Sequence, residues 1–160
     1  MKNLILITLS LICNYASKSQ CRIQTNERED GSTIQYISPD RIGRADKFYM
    51  AVSMQTNGNE FYVVTLSVFP TKAQDLAGKM TIKFANNKSS ELEHISSHET
   101  TINGYPATIS IYNADNNDLK VISSSNLKYI MVQLDNGIFQ TVIVKLNYDI
   151  LKRQYNCLKN

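Results

Sequence analysis

The amino-acid sequence predicts a mostly-β domain, arranged as an antiparallel sandwich or a partly closed barrel with one short helix. Three observations predict it: several runs alternate apolar and polar residues, Asn-Gly turns separate such runs, and only one segment has helical spacing. Strands that are neighbours in sequence usually pair, so the sheet is expected to be antiparallel. A two-layer α+β arrangement, with a helix on a sheet, is the alternative. The composition, 42% hydrophobic and 19% charged, is typical of a folded globular domain.

The first nineteen residues have the pattern of an export signal. Lys2 precedes an apolar run over residues 4–13, and Ser17 and Ser19 supply the small side chains that signal peptidases require before the cut. The run is about half the ~20 residues that a membrane-spanning helix needs. We therefore expect a signal peptide over residues 1–19, a single β-rich domain over residues 20–160, and no membrane span after processing. The expected location is secreted or periplasmic.

Two cysteines remain beyond this leader, Cys21 and Cys157. In an oxidising compartment such a pair is expected to form a disulfide bond. Closing so long a loop stabilises the fold by roughly 4–5 kcal/mol in the chain-entropy model. The alternatives are two free thiols, or a catalytic thiol at Cys157, which has no histidine nearby in sequence to activate it. Lipidation of Cys21 is disfavoured because Gln20, and not a small residue, precedes it.

The first predicted hairpin joins strands over residues 47–55 and 60–69. Asn57-Gly58 stands between them, and both residues tolerate the positive φ that a tight hairpin turn requires. In the second strand, Tyr62, Val64, Leu66 and Val68 occupy one face while the other face is also apolar, which predicts a central strand covered on both sides.

Three further strands are predicted over residues 79–85, 91–96 and 107–112, after a loop or single helical turn over residues 71–78. The one helix is predicted to begin at Asp115, which can cap the free N–H groups of its first turn, and Asp118 adds favourable charge there. Two long strands, over residues 127–134 and 138–146, close the domain. Asp135-Asn136-Gly137 joins them as a second hairpin turn.

The charge excludes one class of partner. Of the 17 basic residues, Lys2 and Lys18 lie in the leader, so 15 remain against 14 acidic residues and the mature net charge is +1. The basic cluster of Arg41, Arg44 and Lys47 is interrupted by acidic residues. Nucleic-acid binding normally requires a basic face that neutralises several phosphates, so no nucleic-acid partner is expected.

Both histidines of the chain, His94 and His98, lie in a run with three carboxylates. The zinc-protease pattern His-Glu-x-x-His is absent, because Ile95 follows His94 and Ile102 stands where the partner of His98 should be. On a strand the two rings would share one face about 13 Å apart, too far to hold one ion. The sequence therefore predicts no catalytic, cofactor or metal residues, although a small hydrolase using His94 or His98 with a nearby carboxylate stays an alternative.

Tyrosines are the other candidates for a binding surface. Six of them could form an exposed aromatic platform for a protein or a sugar, or could edge an ordinary core with their hydroxyls in water: Tyr36, Tyr49, Tyr62, Tyr105, Tyr112 and Tyr129. The core-edge interpretation is favoured.

The second half of the chain resembles small exported proteins of Bacteroidetes that lack an assigned role. The similar segments are Lys79-Met80-Thr81-Ile82-Lys83-Phe84 with its Asn turn, Ala107-Thr108-Ile109-Ser110-Ile111, Asp118-Leu119 and Leu127-Lys128-Tyr129-Ile130. The resemblance spans residues 79–146 and implies a periplasmic or surface location. It implies no site residues.

These features favour an exported, non-enzymatic binding or interaction module of the periplasm or cell surface, with an unknown protein or glycan as its partner. The alternatives are the small secreted hydrolase and a structural subunit of an envelope assembly that uses an exposed strand edge.

Overall fold

The structure is a computed structural model that describes residues 21–28 and 30–160. The predicted signal peptide, residues 1–19, lies outside the described residues. Within them the chain forms ten strands and two helices: β1 Gln24–Glu27, β2 Thr33–Tyr36, β3 Asp40–Arg44, β4 Tyr49–Thr56, β5 Phe61–Val68, β6 Leu76–Phe84, β7 Ser89–Ile102, β8 Tyr105–Ala114, α1 Asn116–Ser124, β9 Leu127–Leu134, β10 Phe139–Val144 and α2 Ile150–Leu158.

Eight strands form a closed antiparallel barrel. The order around the ring is β3-β10-β9-β6-β7-β8-β5-β4, and β4 pairs back with β3. The hairpin of β1 and β2 extends the sheet from the end of β4 that β3 does not reach. The mostly-β, antiparallel prediction is confirmed in its barrel form, and the ring is fully closed.

The ring closes at a short seam between β3 and β10. Only Arg44 and Gly43 of β3 pair with Ile143 and Val144 of β10. The two backbones approach so closely that a Cβ at Gly43 would overlap the carbonyl oxygen of Ile143. Glycine is therefore required at this position for the strands to meet.

Both predicted hairpins are present. β4 and β5 pair along their full lengths around Gly58, which has a φ of 93°. β9 begins and ends where predicted, and Gly137, with a φ of 83°, leads into β10. The Asn-Gly sequences therefore mark the turns correctly.

The interpretation of β5 as a strand covered on both faces needs correction. Its core face carries Val63, Thr65 and Ser67, which are fully buried, whereas Val64 and Leu66 lie on the outer face and are half-buried. The inner face of this strand thus holds two hydroxyl side chains, and the apolar alternation points outward.

Two helices pack together over one end of the barrel, where the sequence predicted only one. α1 begins as expected at Asp115, whose side chain accepts hydrogen bonds from the N–H groups of Asn117 and Asp118 at 2.7 and 2.9 Å. Both bonds lower the pKa of the Asp115 carboxyl, and the bond from the N–H of Asp118 has the larger effect. Burial raises the pKa of the Asp118 carboxyl.

The second helix, α2, was not predicted. It buries Ile150, Leu151 and Leu158, and between them Gln154. Gln154 Oε1 accepts from the N–H of Met54 at 2.7 Å, and its Nε2 donates to the carbonyl of Ser38 at 3.2 Å. This buried amide fastens the helix to the barrel through two backbone groups.

The predicted disulfide between Cys21 and Cys157 is present. The two Cα atoms are 5.7 Å apart, within the usual range for a disulfide, and 136 residues separate the cysteines in sequence. The bond ties the segment before β1 to the last turn of α2.

Neither helix of the described chain is long and apolar enough to cross a membrane.

Candidate functional site

A groove opens at the barrel end opposite the helices. Its volume is about 490 Å³, within the ordinary range for ligand sites. We call it the arginine–tyrosine groove, and its walls come from three places in the chain: Arg41 and Arg44 of β3, the turn and first residue of β4 over residues 45–49, and residues 68–70 together with Tyr105.

A β-bulge places both arginines on the outer face of the barrel. The register between β3 and β4 shifts between Arg41 and Gly43, so that Arg41 pairs with Ala51 and Arg44 with Tyr49. Residues three apart on a regular strand would point to opposite faces, but the extra residue of the bulge restores them to the same face.

Tyr49 lies beneath both guanidinium groups. The Cζ atom of Arg41 is 4.0 Å from the centroid of the Tyr49 ring, and that of Arg44 is 5.8 Å away. Stacking on an aromatic ring attracts the cation and holds the planar guanidinium in a fixed orientation. The N–H groups at its edge stay available for a ligand.

The groove has an excess of positive charge. Among residues 21–28 and 30–160 the ion pairs join Lys79 to Glu93 and Arg153 to Asp40, so Arg41, Arg44 and Lys47 take part in none. Asp46 is the one acidic residue of the lining. An anionic ligand would therefore meet three unpaired cations against one carboxylate.

Aromatic rings form both the floor and the rim. Phe48 and Phe69 are buried at the floor, where their ring centroids are 5.2 Å apart. Tyr49 and Tyr105 are exposed at the rim, Tyr105 with 57% of its surface accessible. The apolar faces and polar hydroxyls of these tyrosines suit a ligand that has both kinds of surface, such as a sugar ring.

The tyrosine platform proposed from the sequence is thus only partly assembled. Tyr49 and Tyr105 meet at the groove, and Tyr112 is fully buried inside the barrel. Tyr36, Tyr62 and Tyr129 are half-buried on other strands. The core-edge interpretation holds for the three half-buried tyrosines, whereas Tyr49 and Tyr105 line the groove.

The two histidines do not share a face, in contrast to the prediction. His94 pairs with Tyr112 and turns toward the barrel interior, whereas His98 pairs with Ile109 and is exposed. A bulge between His94 and Ser96 adds one residue and reverses the alternation. In the described part of the chain no cluster of three potential metal ligands occurs.

His94 does contact a serine. Its Nε2 lies 2.8 Å from Ser97 Oγ, which also contacts Ser110 Oγ at 2.7 Å and the carbonyl oxygen of Leu76 at 2.9 Å. A carbonyl only accepts, so Ser97 donates its single proton to Leu76 and must accept from His94 and Ser110. His94 is therefore the donor.

This direction of the hydrogen bond does not suit nucleophilic catalysis. An activated serine donates to an unprotonated ring nitrogen, which then removes the proton. Here Ser97 is held by a backbone carbonyl, and the ring packs edge-on against Tyr112 with centroids 5.4 Å apart. The geometry fixes β7 to β8 and to the start of β6.

Sequence reasoning missed the groove although its residues were noticed. The acidic residues that interrupt Arg41, Arg44 and Lys47 in sequence do not pair with them: among the described residues Asp40 pairs with Arg153, at 3.6 Å, and Asp46 forms no ion pair. The usable signal was the spacing of the arginines around Ile42-Gly43, where glycine permits a bulge.

Comparison with known proteins gives no relative: no family model, no curated protein and no solved structure matches this chain.

Proposed function

We propose that this protein is an exported, non-enzymatic binding module, and that its arginine–tyrosine groove takes an acidic carbohydrate chain. The observation that carries the proposal is the stack of Arg41 and Arg44 on Tyr49, beside the exposed Tyr105 and without a counter-ion in the described residues.

Each part of the groove fits one part of such a ligand. The guanidinium groups present parallel N–H donors that match a carboxylate or sulfate in bidentate geometry. The ring of Tyr105 can pack against the C–H face of a sugar, and the hydroxyls of Tyr49 and Tyr105 can bond to its hydroxyls.

Export is supported by the disulfide and by the leader pattern. A bond between Cys21 and Cys157 persists in oxidising compartments and is rare in the cytosol. The chain-entropy model gives about 5 kcal/mol for a loop of this length, so the fold depends on the bond.

Calorimetric titration tests the ligand class. We expect the mature, oxidised protein to bind an oligogalacturonate, to ignore a neutral galactose oligomer of equal length, and to lose affinity as salt rises. Arg41→Gln should weaken binding by roughly ten- to a hundredfold, since it removes hydrogen bonds to a charged group.

The tyrosine contribution has a matched control. Tyr105 at the groove and Tyr148 elsewhere are both 57% exposed, so Tyr105→Ala should weaken binding while Tyr148→Ala should not. Equal binding of the neutral oligomer, or equal loss in both variants, would contradict the proposal. Binding of an acidic peptide but of no acidic sugar would replace the proposed ligand by a protein partner.

Processing can be tested separately. Expression of the full-length chain in an exporting host should give a product that begins at Gln20 and has no free thiol, read by mass spectrometry without reductant. A product that retains residues 1–19, or has both thiols free, would contradict the export proposal but not the groove proposal.

A further inference from the structure

The ring closes at a two-residue seam, and the rest of β10 is left without a partner on the side of β3. β10 pairs with β9 through five residues but with β3 through only two, because β3 ends at Arg44 and the chain turns back toward β4. In that turn the N–H of Ala45 donates to the carbonyl of Phe48 at 2.9 Å. Residues 139–142 of β10 therefore have no partner on this side among the described residues.

This free edge is apolar and uncharged, unlike the others. β1, the outer strand of the hairpin, ends in Glu27, and the part of β7 that extends past β6 contains His98 and Glu99. Charged side chains on an edge strand discourage pairing with another chain. Residues 136–144 contain no charge, and Ile138, Phe139 and Ile143 are exposed there.

The charges that flank this edge are complementary under a two-fold axis. Asp135 and Lys145 are exposed and lie five residues before and after Gln140. In an antiparallel pair centred on Gln140, Asp135 of one copy is at the same end as Lys145 of the second copy. A parallel pair would instead bring like charges together, which is unfavourable.

We propose that this protein forms a two-fold dimer in which β10 of one copy pairs antiparallel with β10 of a second copy around Gln140. The pairing uses residues 139–142, which β3 leaves without a partner, and gives hydrogen-bond partners to their backbone groups that face away from β9. Phe139 and Ile138 become buried at the new interface. Because the same surface serves both copies, the contact is self-complementary and the assembly stops at two.

The mature net charge of +1 is consistent with self-association, since little overall repulsion opposes it. Residues 139–142 of β10 do not line the arginine–tyrosine groove, although Arg44 of the groove pairs with the next residue of the strand, Ile143. The dimer does not depend on the proposed function. Failure of either proposal leaves the other standing.

Sedimentation velocity of the mature, oxidised protein tests the dimer, over about 1 to 100 µM. We expect a monomer–dimer equilibrium that Phe139→Lys shifts to monomer. Ile95→Lys is the matched control, since Ile95 is 52% and Phe139 59% exposed on different strands. Circular dichroism and thermal unfolding check that each variant folds.

The register has its own test. Asp135→Lys and Lys145→Asp should each weaken the dimer by roughly three- to tenfold, and the two together should restore it. A wild-type protein that stays monomeric over this range overturns the proposal. So does a dimer that Phe139→Lys leaves intact, or paired charge changes that fail to restore association.

Discussion

The two sides of the barrel interior differ in chemistry. Aliphatic and thioether side chains from β4, β6 and β9 form an aliphatic side that is fully buried: Met50, Val52, Met54, Met80, Ile82, Ile130, Val132 and Leu134. The adjacent strands β5 and β8 form a hydroxyl side of fully buried Thr65, Ser67, Thr108 and Ser110. In the cross-strand register Thr65 lies opposite Ser110 and Ser67 opposite Thr108.

The hydroxyl side serves a segment of backbone that enters the barrel. Residues 69–75 connect β5 to β6, and Phe69 and Ala73 of this connection are buried, as is Leu76 at the start of β6. Thr108 Oγ1 donates to the carbonyl of Gln74 at 2.9 Å, and Ser97 Oγ donates to that of Leu76 at 2.9 Å. A buried connection cannot pair its carbonyls as a strand does, so side chains must supply the donors.

Not every buried hydroxyl has such a role. Thr65 Oγ1, Ser67 Oγ and the Tyr112 hydroxyl have no hydrogen-bond partner among the described residues. Burial raises the pKa of the Tyr112 phenol well above its usual value, and the neighbouring Ser110 hydroxyl acts in the opposite direction. The barrel interior therefore holds three classes of side chain: aliphatic groups, hydroxyls with a hydrogen-bond partner and hydroxyls without one. Their contributions to the free energy of unfolding can be ranked by mutation.

The aliphatic side should show the largest effect. Ile130→Ala removes three carbon atoms from a fully buried site and should lower the free energy of unfolding by about 2–5 kcal/mol, through lost burial and the cavity left behind. Ile143→Ala, at an exposed position of β10, is the control and should change stability little. Denaturant unfolding measures both, and similar losses would erase the distinction between core and surface.

The bonded hydroxyls should come second. Thr108→Val keeps the shape of the side chain but leaves the Gln74 carbonyl without its donor, so we expect a loss of about 1–3 kcal/mol by the same measurement. Thr141→Val, on the exposed face of β10, is the matched substitution. If both variants are equally stable, the hydroxyl side is not needed to hold residues 69–76.

The unpartnered hydroxyls should matter least. Tyr112→Phe and Thr65→Val each replace a buried polar atom without a protein partner by an apolar one of similar shape, and should change stability by less than about 1 kcal/mol or raise it. A loss above about 2 kcal/mol in either variant would show that these atoms bind something else, such as buried water.

The same comparison explains what the sequence could and could not predict. Alternation locates the strands, and turns locate the hairpins, so the barrel class and the disulfide follow from the pattern. The inner face of β5 does not, because the polar Thr65 and Ser67 look like outward-facing residues although both are fully buried. The hydropathy of one strand contains no information about the segments that cover it.

Bulges and a buried amide account for the other errors. One inserted residue puts Arg41 beside Arg44 and separates His94 from His98, and neither shift alters the apolar pattern. In α2 the helical row of Ile150, Gln154 and Leu158 is interrupted by a polar residue, so the spacing was not recognised. Both the groove and the second helix depend on such details.

Gly43 has a consequence for how this fold fails. The ring is sealed where the β3 and β10 backbones meet, and one methyl group on Gly43 would collide with the Ile143 carbonyl and crowd Val142. A Gly43→Ala protein would therefore keep every other strand pair yet unroll at this point into a curved open sheet. Two new unpaired edges and the interior faces of Ile42 and Val142 would then meet water, the surface from which insoluble aggregates grow.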